Sequence, residues 1–438
     1  MKKIKLVILG LLTCLVGTLT SQEKADHKVH FAKNSQGLWR VYINGKETPI
    51  YGAGGVFKPG MLEQFSSVGG NFTRTWGIGS LETKVSDGKI YIDRAHELGV
   101  NVMAGIWIGH ERHGFNYSDP EKLKEQRDRV RAEVRKWKHH PGIAIWGLGN
   151  EMEGPQAESG NSAVYKELEV LAKIIKEEDP NRPIMTVIAG TRSGKIKNLM
   201  RYCPTIDAVG INAYGAAAAA GKALKKVGWE KPFAITEFGV KGFWEAQKTS
   251  WGAPIEPTST EKSKTYYSTH KLVTSMNDGK ELCMGTFAFV WGWKQEKTST
   301  WFGMCLNTGE KLGQVDTLVK AWTGKWPANR APKIIDLKAS FFGKTVAKGA
   351  QLKALVDAED PENNTMTYEW IIVKESTSNS VGGDYEWTPP SFPELTVENN
   401  KPQCVAKAPA NPGQYRLFLT IKDGNGSAAT ANIPFQVK

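Results

Sequence analysis

Cysteine is scarce in this sequence of 438 residues, which holds only five, and those beyond the first 20 residues are scattered at Cys203, Cys283, Cys305 and Cys404. No CxxC spacing occurs, so a structural zinc site is not predicted. Free, buried thiols are expected, with a single disulfide as the alternative. The zinc-protease motif HExxH is also missing, because His110 and His113 are three residues apart instead of four.

Long apolar runs are equally scarce, and the clearest one lies at the N-terminus, Ile4 to Val16, with three lysines around its start. This run is short for a membrane span and has the pattern of an export signal. We therefore predict a signal peptide over residues 1–21, no membrane span, and a secreted, periplasmic or cell-surface protein. A lipid anchor at Cys14 is the alternative.

Acidic residues are outnumbered, with 57 Lys and Arg against 45 Asp and Glu and a net charge of +12. The densest basic stretch, Lys122 to His140, interleaves lysine, arginine and glutamate at helical spacing. That pattern predicts a solvated helix face with i,i+4 ion pairs, so no nucleic-acid partner is expected. A basic surface would also suit anionic glycans.

Apolar runs that alternate with amphipathic helical segments dominate residues 49–326. Eight such units match the length and order of a (β/α)₈ TIM barrel, with a β-hairpin at residues 22–48 packed on it. The predicted strands are Ile50–Val56, Asn71–Trp76, Asn101–Ile108, Ile143–Glu151, Pro183–Ala189, Asp207–Tyr214, Phe233–Glu237 and Met284–Trp291.

The C-terminal part of the sequence follows a different pattern. A proline-containing linker at residues 327–332 is followed, over residues 333–438, by short segments in which apolar and polar residues alternate, separated by turn signals. This indicates an all-β immunoglobulin-like sandwich. Tyr368-Glu-Trp370 and Gly413-Gln-Tyr-Arg resemble the strand signatures of PKD-like modules. The segment Asp357 to Asn364 is expected to be a solvated turn, with a calcium site as the alternative.

Two predicted strands end in a glutamate, Ile143-Ala-Ile-Trp-Gly-Leu-Gly-Asn150-Glu151 and Pro232-Phe-Ala-Ile-Thr-Glu237. The glutamates are 86 residues apart, or three βα units, which puts them at the ends of barrel strands 4 and 7. Parallel strands bring their carboxyl ends to one edge, where barrels carry their chemistry. Paired carboxylates about 5 to 5.5 Å apart are what a retaining glycosidase needs.

The sequences around these glutamates, Trp146-Gly-Leu-Gly-Asn150-Glu151 and Ile-Thr-Glu237-Phe-Gly, resemble those of clan A retaining glycoside hydrolases, in particular the β-galactosidase and β-glucuronidase family. The resemblance covers roughly residues 48–325. It implies that Glu151 is the acid/base, that Glu237 is the nucleophile, and that Asn150 binds the sugar 2-hydroxyl. No cofactor and no metal are implied.

The same resemblance implies further substrate-binding residues. Arg74 would hold the nucleophile ionised by its charge, and Asn212 and Tyr214 would lie near the nucleophile. Trp291 and Trp293 would form the floor of the sugar-binding site. Trp76 and Trp107 are expected to line the loops of the rim, and the loop residue His110 is expected to contact the substrate, with a purely structural role as the alternative.

The arrangement of a signal, a barrel without preceding sandwich domains and one C-terminal sandwich resembles secreted bacterial endo-β-1,3-glucanases. We therefore expect a monomer that cleaves a laminarin-type polysaccharide or its oligosaccharides. Alternatives are a β-glucan transglycosylase, an exo-acting β-galactosidase or β-glucuronidase-like enzyme, a non-catalytic glycan-binding surface protein, and a metal-dependent hydrolase that uses the His110/His113 loop.

Overall fold

A computed structural model describes residues 27–154, 157–276, 278–378 and 382–438. The predicted signal peptide and Cys14 lie outside the described residues. Within those ranges, no helix combines the length and the apolar character that crossing a membrane would require. The cysteines at 203, 283, 305 and 404 are free and buried, as expected.

A small antiparallel sheet precedes the barrel and consists of β1 (Val29–Lys33), β2 (Trp39–Ile43) and β3 (Lys46–Thr48). The expected hairpin therefore has a third strand, which follows a tight turn with positive φ at Asn44 (50°) and Gly45 (80°). Val29 and Val41 are buried against side chains of the barrel interior, among them Phe72. The sheet thus closes one end of the barrel.

Eight parallel strands form the closed barrel, which confirms the predicted fold class, and each predicted strand coincides with an observed one. The strands are β4 (Ile50–Gly54), β5 (Phe72–Arg74), β6 (Asn101–Ile106), β7 (Ile143–Asn150), β8 (Ile184–Ala189), β9 (Ala208–Asn212), β10 (Phe233–Phe238) and β11 (Cys283–Ala288). Strand β11 pairs with β4 and closes the cylinder. Strands β7 and β10 are thus the fourth and seventh of the barrel.

One α-helix follows each barrel strand in the described part of the chain. The helices are α1 (Met61–Ser67), α2 (Tyr91–Glu97), α3 (Pro120–Trp137), α4 (Ser162–Glu178), α5 (Ser193–Tyr202), α6 (Ala220–Val227), α7 (Ser259–Lys271) and α8 (Gly313–Thr323). Helix α3 is the basic helix and carries the expected i,i+4 pairs Lys124–Asp128 and Arg129–Glu133. Its Arg127 also pairs with Glu167 of α4, so part of its charge joins two helices.

The C-terminal region is a two-sheet sandwich, in agreement with the predicted fold class. Its strands are β12 (Lys311–Leu312), β13 (Lys333–Ala339), β14 (Thr345–Val346), β15 (Gln351–Glu359), β16 (Thr367–Lys374), β17 (Ser391–Phe392), β18 (Thr396–Glu398), β19 (Gln403–Lys407), β20 (Gly413–Lys422) and β21 (Ser427–Val437). Trp370, Leu417 and Leu352 belong to the core between the two sheets. Strand β12 comes from a barrel loop and pairs with β21, so the two domains share a sheet.

A buried polar cluster also joins the two domains. Asn432 of β21 donates to Glu256 of the barrel at 2.6 Å, and Glu256 forms a buried ion pair with Lys262. Arg416 of β20 pairs with Glu375 at 2.7 Å and donates to the Pro254 carbonyl at 2.7 Å. Breaking such a cluster would leave charges buried without partners, so the sandwich is firmly attached.

Candidate active site

Glu151 lies directly after β7, at the point where the chain turns away from the barrel. Gly149 has φ 73°, and a Cβ atom there would lie 2.2 Å from the sulfur of Met152. Glu151 itself has φ 54°, a left-handed conformation that costs a residue with a side chain about 1 kcal/mol or more. The turn therefore holds the half-buried Glu151 carboxylate at the carboxyl edge of the strands.

Glu237 lies within β10 and is only 7% exposed. One carboxylate oxygen, Oε1, accepts hydrogen bonds from Arg74 Nη1 at 3.2 Å and from Trp76 Nε1 at 2.9 Å. The other oxygen, Oε2, accepts the Tyr214 hydroxyl at 3.0 Å. One cation and two neutral donors thus fix the position of this carboxylate.

Asn212 connects the two glutamates. Its Nδ2 donates to Glu151 Oε1 at 2.8 Å and to Asn150 Oδ1 at 3.1 Å. Its Oδ1 accepts from Arg74 Nη1 at 3.1 Å, and Arg74 Nη2 reaches Asn150 Oδ1 at 2.5 Å. The structure therefore brings seven of the predicted site residues into one hydrogen-bonded network: Arg74, Trp76, Asn150, Glu151, Asn212, Tyr214 and Glu237.

The two acidic groups have different electrostatic surroundings. Burial, together with the neighbouring Glu237 carboxylate, raises the pKa of Glu151 to about 7. Burial and the same carboxylate raise the pKa of the Tyr214 hydroxyl, so this group stays a neutral donor. Glu151 can therefore hold a proton near neutral pH, beside a Glu237 carboxylate that accepts three hydrogen bonds.

The prediction that Trp291 floors the sugar site is wrong. Its side chain is fully buried, donates from Nε1 to Gln64 at 3.1 Å, and packs against Phe65 and Trp322. An indole enclosed in this way has no face to offer a sugar.

Phe289 is the aromatic residue beyond β11 that lies beside the nucleophile. It packs edge-on against Trp76 at 5.8 Å and Tyr214 at 6.1 Å between ring centroids, and both of these residues hydrogen-bond Glu237. Sequence reasoning missed it because a single strand was expected from Met284 to Trp291. The strand ends at Ala288, and the residues that follow are distributed between the site and the core.

Thr236 was also missed, although it directly precedes the nucleophile. Its carbonyl accepts Arg74 Nη1 at 2.8 Å and its hydroxyl donates to Asn212 Oδ1 at 2.8 Å. A threonine inside an apolar run was the available signal, since a polar side chain in a buried strand needs a partner.

Trp107, His110 and Trp293 lie outside the hydrogen-bonded network. Trp107 is 37% exposed and stacks on buried His110 at 4.5 Å, and His110 stacks in turn on His113 at 5.3 Å. Burial lowers the pKa of His110 to about 4, so its ring is neutral. Trp293 is half-buried and lies beneath the Lys58 ammonium at 5.9 Å. Within the described ranges, no three His, Cys, Asp or Glu side chains cluster as metal ligands.

The sequence comparisons point to the same kind of barrel. Residues 87–266 match the sequence model of the family described as glycosyl hydrolases family 2, TIM barrel domain. This confirms the resemblance to clan A glycoside hydrolases for the barrel and is in line with the predicted class of enzyme, a retaining glycoside hydrolase. None of the curated proteins compared with this sequence matches it.

Solved structures with the same fold include two β-glucuronidases. Bacteroides uniformis β-glucuronidase 2, covalently bound to cyclophellitol-6-carboxylate aziridine, is 15% identical with a TM-score of 0.50, and the match covers 94% of this chain and 48% of that chain. The β-D-glucuronidase of Dictyoglomus thermophilum is 16% identical with a TM-score of 0.50, over 69% of this chain and 54% of that one. This chain therefore spans about half the length of these proteins.

Proposed function

We propose that this protein is a retaining β-glycoside hydrolase. The observation that carries the proposal is the contrast between two glutamates in one network: Glu151 with its pKa raised to about 7, and Glu237 held by Arg74, Trp76 and Tyr214. A double displacement needs one carboxyl group that carries a proton and another that stays an anion.

In the first step Glu237 attacks the anomeric carbon while Glu151 gives its proton to the departing glycosidic oxygen. The bond from the anomeric carbon to that oxygen breaks, and a covalent glycosyl ester forms on Glu237. In the second step Glu151 takes a proton from water, whose oxygen attacks the anomeric carbon and releases Glu237. Asn150 has its Oδ1 occupied by Arg74 and Asn212, which leaves its amide NH₂ as the group to meet the sugar 2-hydroxyl.

Two substrate classes are candidates. A β-1,3-glucan of the laminarin type, cleaved internally, is the hypothesis drawn from the sequence. The names of the structurally similar proteins favour a β-glucuronide cleaved from its end. A transglycosylase would use the same residues with a sugar acceptor in place of water.

Product analysis with the purified mature protein and Glu237→Gln as control tests the proposal. The substrates are laminarin, mixed-linkage β-glucan, and the 4-nitrophenyl β-glucuronide, β-glucoside and β-galactoside. Turnover of any one by wild type and not by the variant, with a β-configured first product, supports the retaining mechanism. Equal turnover by both proteins would reject it.

A further inference from the structure

A loop of the sandwich reaches the barrel on the face that carries the two glutamates. Residues 382–387 of this loop lie between β16 and β17, and we name them the sandwich loop. Asp384 accepts from Arg112 Nη2 at 3.2 Å, in the barrel loop after β6. Glu386 accepts the Lys297 backbone N–H at 2.8 Å, in the barrel loop after β11. The sandwich loop thus bridges two loops at the carboxyl edge of the barrel, where barrel enzymes have their sites.

The sandwich loop also lies near the nucleophile. The Gly383 carbonyl accepts Lys294 Nζ at 3.1 Å, and the same ammonium lies 5.4 Å over the ring of Phe289. Phe289 in turn packs on Tyr214, whose hydroxyl donates to Glu237. A chain of direct contacts therefore runs from the sandwich loop through Lys294 to the groups around Glu237.

Alternate residues of this loop have opposite roles. Asp384 and Glu386 turn to the barrel and are anchored there, whereas Tyr385 is 75% and Trp387 is 76% exposed. The two exposed rings pack edge to face, with centroids 5.1 Å apart and an interplanar angle of 88°. Neither ring belongs to the sandwich core, so their exposure calls for a partner outside the chain.

Further aromatic rings lie beside the sandwich loop on the barrel. His113 lies 3.3 Å from Asp384 and stacks on His110, which is itself buried and stacks on exposed Trp107. Asp384 and Glu386 are paired with barrel groups, so the most exposed side chains of the sandwich loop are its two aromatic rings. Rings of this kind stack on the apolar faces of sugars, whereas an electrostatic partner would need exposed charge.

We propose that Tyr385 and Trp387 form an outer subsite for the glycan chain, which binds sugar units beyond those at Glu151 and Glu237. This inference rests on the proposed function, since the occupant is a further part of the same β-linked substrate. The sandwich would then bind part of the substrate in addition to supporting the barrel structurally.

The test measures glycan binding separately from turnover. Glu237→Gln protein is run in native gels cast with laminarin, mixed-linkage β-glucan, β-1,4-galactan or alginate at graded concentrations. The same protein carrying Tyr385→Ala and Trp387→Ala is compared with one carrying Trp326→Ala, which removes a 48% exposed tryptophan of the linker region. Thermal unfolding of all three proteins checks that they are folded.

We expect at least one glycan to retard the parent and the Trp326→Ala protein equally, and the double alanine protein about fivefold more weakly, from the loss of aromatic contacts. Equal retardation of all three proteins, or no retardation of the parent by any glycan, would overturn the inference. Turnover of the four glycans and of the 4-nitrophenyl glycosides by the Glu237-containing protein is measured in parallel. Absent turnover with ring-dependent glycan binding would reject the proposed hydrolase and retain the outer subsite.

Discussion

The carboxyl ends of β7 and β10 each carry one glutamate, yet the two side chains have different neighbours. Glu151 follows its strand in a left-handed turn, is half-buried, and receives a hydrogen bond from the neutral amide of Asn212. Glu237 lies inside its strand and accepts from a guanidinium, an indole and a phenol. The residue type and the barrel edge are the same, so the difference lies in the surroundings: burial and the Glu237 carboxylate raise the pKa of Glu151, whereas three donors hold Glu237 in place.

The largest expected effect comes from removing the anion at β10. Glu237→Gln is expected to lower kcat by about 10⁴-fold or more, because no covalent ester can form. Steady-state kinetics on the best substrate measure this loss. Glu177→Gln, which changes an exposed glutamate paired with Arg131, is the matched control. If the Glu237→Gln protein retained even a tenth of the wild-type kcat, Glu237 would not be the nucleophile.

The role of Glu151 as the general acid is tested by Glu151→Gln. The loss of activity in this variant should depend on the leaving group of the substrate. Glycosides with poor leaving groups are expected to lose about 10³-fold in kcat/KM, within the range of general acid catalysis, and nitrophenyl glycosides far less. In wild type the rate should fall as pH rises through about 7, because Glu151 must be protonated to act as the acid. This alkaline limb should vanish in the variant. Equal losses for both leaving groups would argue against the acid role.

The difference between the surroundings of Glu151 and Glu237 should become smaller when the positive charge of Arg74 is removed. Arg74→Met leaves the buried Glu237 carboxylate without its ion-pair partner and removes one of the two donors to Asn150 Oδ1. We expect a destabilisation of about 3 kcal/mol and a fall in kcat of about 10²-fold through misplacement of the nucleophile. Arg74→Lys keeps the positive charge but cannot donate from two nitrogens at once as the guanidinium does. Its stability and its kcat should therefore lie between those of wild type and Arg74→Met. Denaturant unfolding and kinetics distinguish these outcomes; a Met variant as stable as wild type would contradict the prediction.

The smallest expected effect is a gain in stability. The pKa of Glu151 is raised from 4.5 to about 7 in the folded protein, so the folded state holds its proton more tightly than the unfolded chain. This contribution is complete below about pH 4.5 and is lost as pH rises to about 7. Glu151→Gln should therefore raise the melting temperature by about 2–4 °C more at pH 8 than at pH 4. A difference of the opposite sign would mean that the pKa is not raised.

The sequence indicated the barrel well because apolar runs with intervening amphipathic helices depend on local periodicity. It also indicated Glu151 and Glu237, since two glutamates at the ends of buried strands three βα units apart match the paired carboxylates of a retaining glycosidase. Periodicity could not distinguish Trp291, which is enclosed by Phe65 and Trp322, from an indole that faces a cleft. Nor could it show that Thr236 and Phe289 complete the surroundings of the nucleophile.

What the sequence by itself determined is the order of the elements, the class of the two domains and the two strand ends that carry glutamate. Those features follow from local pattern and from the rule that parallel strands present their carboxyl ends at one edge. Only the tertiary structure decided which side chains surround the two glutamates, because Asn212, Arg74 and Tyr214 come from distant parts of the chain. Only the tertiary structure showed that Asp384 and Glu386 of the sandwich contact the barrel loops. Contacts between domains do not produce a periodic pattern in the sequence of either segment.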